Sequence, residues 1–244
     1  MSTESGDNKV IGNFRKLIDE CSADPAYDPG NDKLKISALE AQYTAGDAAV
    51  AAVAAARAPN KLAVTDREDA FSELRPLAVR SRNYLKASGA PQSVVEDADI
   101  YIVKLSGGRK SAKVKTDPNV PEKAGPGSGS ASQMSYENRT GHFEGYIEIV
   151  RNVSEYTPKE DDLTVASLEA FAASLIAKSN AVSTTTATLD QKRGVRDQLL
   201  YLNDDSIVNT AKLVKAYVQA ALGTSSQLYK KIKGLRFEGR RSDR

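Results

Sequence analysis

Cys21 and His142 are the only cysteine and the only histidine in the chain. A thiolate nucleophile needs an imidazole or a cation beside it to lower its pKa. Neither stands close to Cys21 in sequence, and Cys21 falls on the apolar stripe of its segment, so a buried thiol is expected. His142 aligns with Asn13 in a repeated segment and reads as the start of a helix, where capping is its expected role. One Cys and one His leave most nucleophilic and zinc mechanisms without their parts. Carboxylate chemistry stays open in principle. The pairs Asp161-Asp162 and Asp204-Asp205 could hold a hard cation, but both fall where helices should begin, and capping accounts for them without a metal. Gly107-Gly108-Arg109-Lys110-Ser111 resembles a phosphate loop only faintly. That motif needs glycine directly before the lysine and again five places earlier, where Arg109 and Lys104 stand instead.

Charge offers the remaining candidate. Lys104, Arg109, Lys110, Lys113 and Lys115 run without an acid until Asp117, and Arg236, Arg240, Arg241 and Arg244 close the chain. Basic tails of this kind can hold phosphate backbones in a salt-sensitive way or meet anionic lipid heads. No aromatic stacking platform accompanies them in sequence, so solvated charge is the simpler reading and anion or nucleic-acid contact the alternative.

The elements that must position these residues come in pairs. Asn13 to Ala41 returns at His142 to Ala170 at a fixed offset of 129 residues, and nine of the 28 positions from Phe14 to Ala41 are identical in the second copy. Unrelated segments match at roughly one position in fifteen, which points to an internal duplication. In each copy an amphipathic helix (Val10, Ile11, Phe14, Leu17, Ile18, Cys21; then Phe143, Tyr146, Ile147, Val150, Val153) leads to a Tyr-x-Pro turn, Tyr27-Asp28-Pro29 or Tyr156-Thr157-Pro158. Asp32 and Asp161 are expected to cap the helix that follows.

That next helix is long. Ile36, Leu39, Tyr43, Gly46, Val50 and Val53 form a heptad-like seam that extends to Val64, Phe71 and Leu74 but passes Arg57, Asn60 and Arg67. The second copy gives Val165, Leu168, Ala172, Leu175, Val182, Leu189 and Leu200. Pro59 is read as a kink within one helix rather than a hairpin, because the second copy has Ser183 to Thr186 there and no breaker. Polar breaks at Arg75-Pro76 and at 203–206 are expected to end the long helices and open new ones. Gly89 and Gly223 are expected to cap the ends of those helices, and a short last element follows in each copy. Residues 1–8 read as a disordered lead. Residues 106–135, rich in Gly, Pro, Ser and Lys, read as a flexible linker between a first repeat (1–105) and a second (136–244).

Composition excludes several classes. With 34 basic and 32 acidic residues the net charge is +2, too small a field to imply nucleic acid or acidic lipid as the main partner. A single cysteine rules out an intrachain disulfide. The polar start has no signal-peptide apolar stretch, and no apolar run approaches the roughly 20 residues of a membrane span. In the Ala-rich span 48–58, Asp47 and Arg57 bracket only nine residues, which favours close helix packing over a membrane patch. A cytoplasmic location is expected.

Ser135-Tyr136-Glu137-Asn138-Arg139 before His142-Phe143, the two Tyr-x-Pro turns, and the run from Ala216-Tyr217-Val218 through Gly223-Thr224-Ser225-Ser226 and Tyr229-Lys230 to Gly234-Leu235-Arg236-Phe237 together resemble a group of duplicated helical proteins of Bacteroidota. The resemblance implies the helical class and the duplication. It brings no activity, cofactor or site residue to transfer.

The expected fold is all-α: a tandem duplication of a helical unit in an elongated bundle built on two long helices. The expected function is a non-enzymatic structural or adaptor protein whose long helices meet a protein partner or a second copy. A membrane-active helical protein and a nucleic-acid binder acting through basic tails are the rivals. No cofactor and no small-molecule substrate is indicated.

Overall fold

The computed structural model describes residues 3–107 and 134–238. It is all-α, and among the described residues there is no strand. The helices are α1 (Thr3–Ala23), α2 (Ile36–Ala87), α3 (Gln92–Leu105), α4 (Tyr136–Arg151), α5 (Val165–Asp197), α6 (Ile207–Leu222) and α7 (Gln227–Ile232). Single 3-10 turns at Asp32–Leu34 and Asp161–Leu163 precede α2 and α5, and α5 closes in a π-helical turn, Gln198–Leu202.

The seam positions are buried as their spacing requires. Leu39, Val53, Phe71 and Leu74 on α2 and Leu168, Ala172, Leu175, Val182 and Leu189 on α5 are all core residues. Helix α2 runs unbroken through Pro59, which lies exposed.

It also runs unbroken through Pro76, so the expected break at Arg75-Pro76 is not there; Leu77, Tyr84 and Leu85 belong to α2 itself. The missing proline N–H costs about 3 kcal/mol. Against this, Phe71, Leu74, Ala78 and Leu85 stay buried on one stripe across the proline, and each large apolar side chain returns about 1.5–3 kcal/mol. Burial wins. The corresponding break in the second copy, at 203–206, is present.

Other local expectations shift by a few residues. Helix α1 begins at Thr3, within the span expected to be disordered, and Asp7 there is buried. Asp32 and Asp161 open the 3-10 turns rather than cap the long helices. Asn31 caps the first turn, accepting from the Lys33 N–H, and Thr164 Oγ1 accepts from the Ser167 N–H at the start of α5. Helix α4 starts at Tyr136, capped by Ser135, so His142 sits inside it and caps nothing. Gly89 and Gly223 take left-handed φ values of 87° and 80° just beyond α2 and α6, where an L side chain would be strained.

The chain divides into two compact units: Met1–Asn60 with Thr185–Arg244, and Lys61–Thr184. This division does not follow the sequence copies, 1–105 and 136–244. The first unit's core joins α1 and the N-terminal part of α2 to Leu200, α6 and α7, with Phe14, Leu17, Ile18, Leu39, Ile207 and Val214 at its centre. The second unit's core joins the C-terminal part of α2 and α3 to α4 and the N-terminal part of α5, around Phe71, Leu74, Phe143, Tyr146, Leu168 and Leu175. An unbroken helix cannot fold back on itself, so the two ends of α2 enter different cores. Each core therefore mixes residues of both copies. The expected linker falls almost wholly outside the described residues.

Candidate functional site

Of the groups singled out for chemistry, Cys21 is buried, His142 is half-buried and Asp162 is paired. Cys21 is 1% exposed in the first core. Burial, reinforced by Asp24 and Glu20, pushes its thiol up to about 12, far from the thiolate that reactivity requires. His142 belongs to the second unit. Its Nε2 is buried without a partner, and desolvation, then the Lys104 charge, lowers its pKa. Asp162 receives both Nη atoms of Arg80, at 2.6 and 3.3 Å. Among the described residues no three His, Cys, Asp or Glu side chains gather as metal ligands would.

Of the basic candidates, Lys104 ends α3 with its Nζ 5.3 Å from the Tyr101 ring centroid. Arg236 follows α7, and its carbonyl accepts from Asn13 Nδ2 at 2.9 Å. These two lie in different units. Arg109, Lys110, Lys113, Lys115, Arg240, Arg241 and Arg244 lie outside the described residues.

Two polar clusters escaped the sequence reading. In the first unit, Arg196 near the end of α5 is 4% exposed. Its Nη1 meets Asp7 Oδ2 at 2.8 Å and its Nη2 meets Asp197 Oδ1 at 2.7 Å. Tyr201, in the π-turn, donates to Asp7 Oδ1 at 2.5 Å, and burial together with that carboxylate raises the phenol pKa. The charges of this network face one another, and it ties the start of α1 to the end of α5. The pattern of residues 1–8 hid it, because a single buried Asp leaves no periodic trace.

The second cluster lies in the second unit and is open. Glu68, Phe71, Ser72, Arg75 and Pro76 of α2 line a cleft of about 400 Å³ with Tyr136 and Arg139 of α4. The spacing i, i+3, i+4, i+7, i+8 is one face of a helix. Tyr136 and Arg139 are one turn apart at the start of α4.

Two guanidiniums, those of Arg75 and Arg139, line the cleft, and a third, Arg67, stacks on its Tyr136 ring. Arg67 lies 3.9 Å from the Tyr136 ring centroid, and Arg139 lies 5.1 Å from that of Phe71. The two rings pack edge to face at 4.7 Å. Arg139 Nη2 donates to the Phe71 carbonyl at 2.9 Å, and Arg75 Nε donates to Ser106 Oγ at 2.9 Å. The Nε atoms of Arg67 and Arg139 are buried without hydrogen-bond partners. Among the described residues none of the three arginines pairs with a carboxylate. For Arg67 and Arg139 a ring face replaces the usual counter-ion, worth about 0.5–2 kcal/mol each. A partial signal was legible: Arg67 stands in an apolar seam, where a charge is out of place.

Comparison with protein-family models, with curated proteins and with solved structures finds no match. The cleft is therefore read on its own chemistry. It presents positive charge beside apolar rings, with the Glu68 carboxylate and the Ser72 hydroxyl also on its lining. Its chemistry suits an anion.

Proposed function

We propose that this chain is a non-enzymatic adaptor, built by duplication of one helical unit, that binds a protein partner or a second copy through the surface of its long helices. The arginine and aromatic cleft on α2 and α4 carries the reading. Guanidiniums without carboxylate partners, set beside the Phe71 and Tyr136 rings, are the makings of a recognition site, since Arg and aromatic residues dominate binding energy where proteins meet. Large apolar side chains exposed along the long helices, Leu62 on α2 and Ile176 and Val195 on α5, add to the surface on offer. The duplication is supported by equivalent turns in the two copies: Tyr27 donates to the Leu34 carbonyl at 2.7 Å and Tyr156 to the Leu163 carbonyl at 2.8 Å.

No described helix is long and apolar enough to cross a membrane. Within this proposal the chain works in the cytoplasm, where a protein without disulfides meets no demand for oxidation. The test is a photo-crosslinking side chain placed at Ser72, an exposed residue of the cleft, in the native cell. The expected outcome is one dominant protein adduct, or an adduct with a second copy, that Arg139→Glu abolishes. Adducts that survive Arg139→Glu unchanged would remove the cleft from the interface.

A further inference from the structure

We propose that the cleft binds a phosphomonoester carried on an aromatic ring, with Arg75 and Arg139 taking the phosphoryl oxygens and Tyr136 and Pro76 forming the apolar wall. This rests on the adaptor reading and names the partner's chemistry: a phosphorylated aromatic side chain on a protein.

Each guanidinium is fixed at one nitrogen and free at another. Arg139 spends Nη2 on the Phe71 carbonyl and keeps Nη1, while Arg75 spends Nε on Ser106 Oγ and keeps both Nη atoms. Forks held in advance lose little freedom on binding. Charge and acceptor number favour a phosphate. Arg75 and Arg139 line the cleft against the single carboxylate of Glu68, with Arg67 beside it on the Tyr136 ring. A phosphomonoester brings about −1.5 to −2 charge and three acceptor oxygens at neutral pH, enough for both forks, where a carboxylate has two oxygens. Volume agrees, because about 400 Å³ lies within the range of roughly 300–1,000 Å³ for small-ligand pockets.

The surroundings argue against an extended polyanion. Asp69 is exposed on α2 about a quarter turn to one side of the cleft, with Asp66 and Glu73 further round the helix. A nucleic-acid backbone leaving the cleft on that side would meet Asp69, whereas a single phosphate seated inside it would not.

The test is an amide-detected NMR titration of the full chain with phenyl phosphate, inorganic phosphate, a short phosphotyrosine peptide and a single-stranded oligonucleotide. Phenyl phosphate is expected to saturate, to bind more tightly than inorganic phosphate, and to move signals of residues 68–76 and 136–139. The phosphotyrosine peptide is expected to bind at least as tightly as phenyl phosphate. Arg75→Gln, on an exposed side chain that the core does not need, is expected to weaken both about tenfold or more. Arg139→Gln should do the same, with its spectrum confirming the fold.

No saturation, equal affinity in Arg75→Gln, or tighter binding of the oligonucleotide at the same residues overturns the inference. The two readings fail separately. Release of inorganic phosphate from phenyl phosphate during the titration would end the non-enzymatic reading and leave the binding site standing. A partner adduct at Ser72 without any phenyl phosphate binding would do the reverse.

Discussion

Replacing Arg196 with Met removes a cation of which only 5% of the side chain is exposed, and strands the equally buried Asp7 carboxylate. The Tyr201 hydroxyl still donates to Asp7, but one neutral donor does not replace a guanidinium at 2.8 Å. Breaking a buried pair by deleting one partner costs about 3–5 kcal/mol, against about 0–1 for an exposed pair. The first unit has its own reporter, because Cys21 is the only cysteine and sits in that core. Its reaction with a thiol reagent therefore follows exposure of the first unit alone. With a urea m-value of about 2 kcal/mol per M, a loss of about 4 kcal/mol lowers the labelling midpoint by about 2 M. The double variant Asp7→Leu with Arg196→Met should regain part of it, since no charge is then left stranded. Salt at 1 M should move the wild-type midpoint little, because buried pairs are poorly screened. A midpoint change under about 0.5 M in Arg196→Met would refute the reasoning and place Arg196 among ordinary surface charges.

Two further substitutions in the second unit test packing and titration. Gly145→Ala gains about 1 kcal/mol of helix propensity, but its Cβ would lie 2.3 Å from Tyr101 Cε1 and 2.8 Å from Cζ. A net loss of about 1–3 kcal/mol is expected. Gly141→Ala on the same helix meets nothing within 4 Å and should gain about 1 kcal/mol; urea unfolding of both variants checks the sign. His142 is held neutral, so the unfolded chain binds more protons than the folded one once pH falls below about 6.5. Stability from this group is complete above that pH and declines as the solution is acidified through and below it. His142→Gln should flatten the change in urea midpoint between pH 7.5 and 5.5, and an unchanged slope would show that His142 contributes nothing.

Much of the fold was legible because its signals are local. The apolar spacing of Phe14, Leu17, Ile18 and Cys21, and of Leu168, Ala172 and Leu175, marks helices whatever they pack against. The Tyr-x-Pro turns were equally plain, although the tyrosine hydroxyl bonds to a leucine carbonyl seven residues on were not. Pro76 misled because a proline's cost can be read from sequence while the burial that offsets it cannot. The cleft was legible only in fragments. Arg67 looked like a flaw in a seam, and Tyr136 to Arg139 figured only as part of a run before His142-Phe143. The runs of Lys and Arg that drew attention fall mostly outside the described residues.

The sequence by itself determined that this protein is helical and which stripe of each helix is apolar, since the helical period depends on neighbours within a few positions. Tertiary structure alone decided which stripes share a core. Because α2 does not fold back at Pro59 or Pro76, its two ends join cores that mix both copies, and Arg67, Phe71 and Arg75 meet Tyr136 and Arg139 across more than sixty residues of chain. A helix period states that a face must be covered. It does not state by what, and that choice rests on the summed burial of both units.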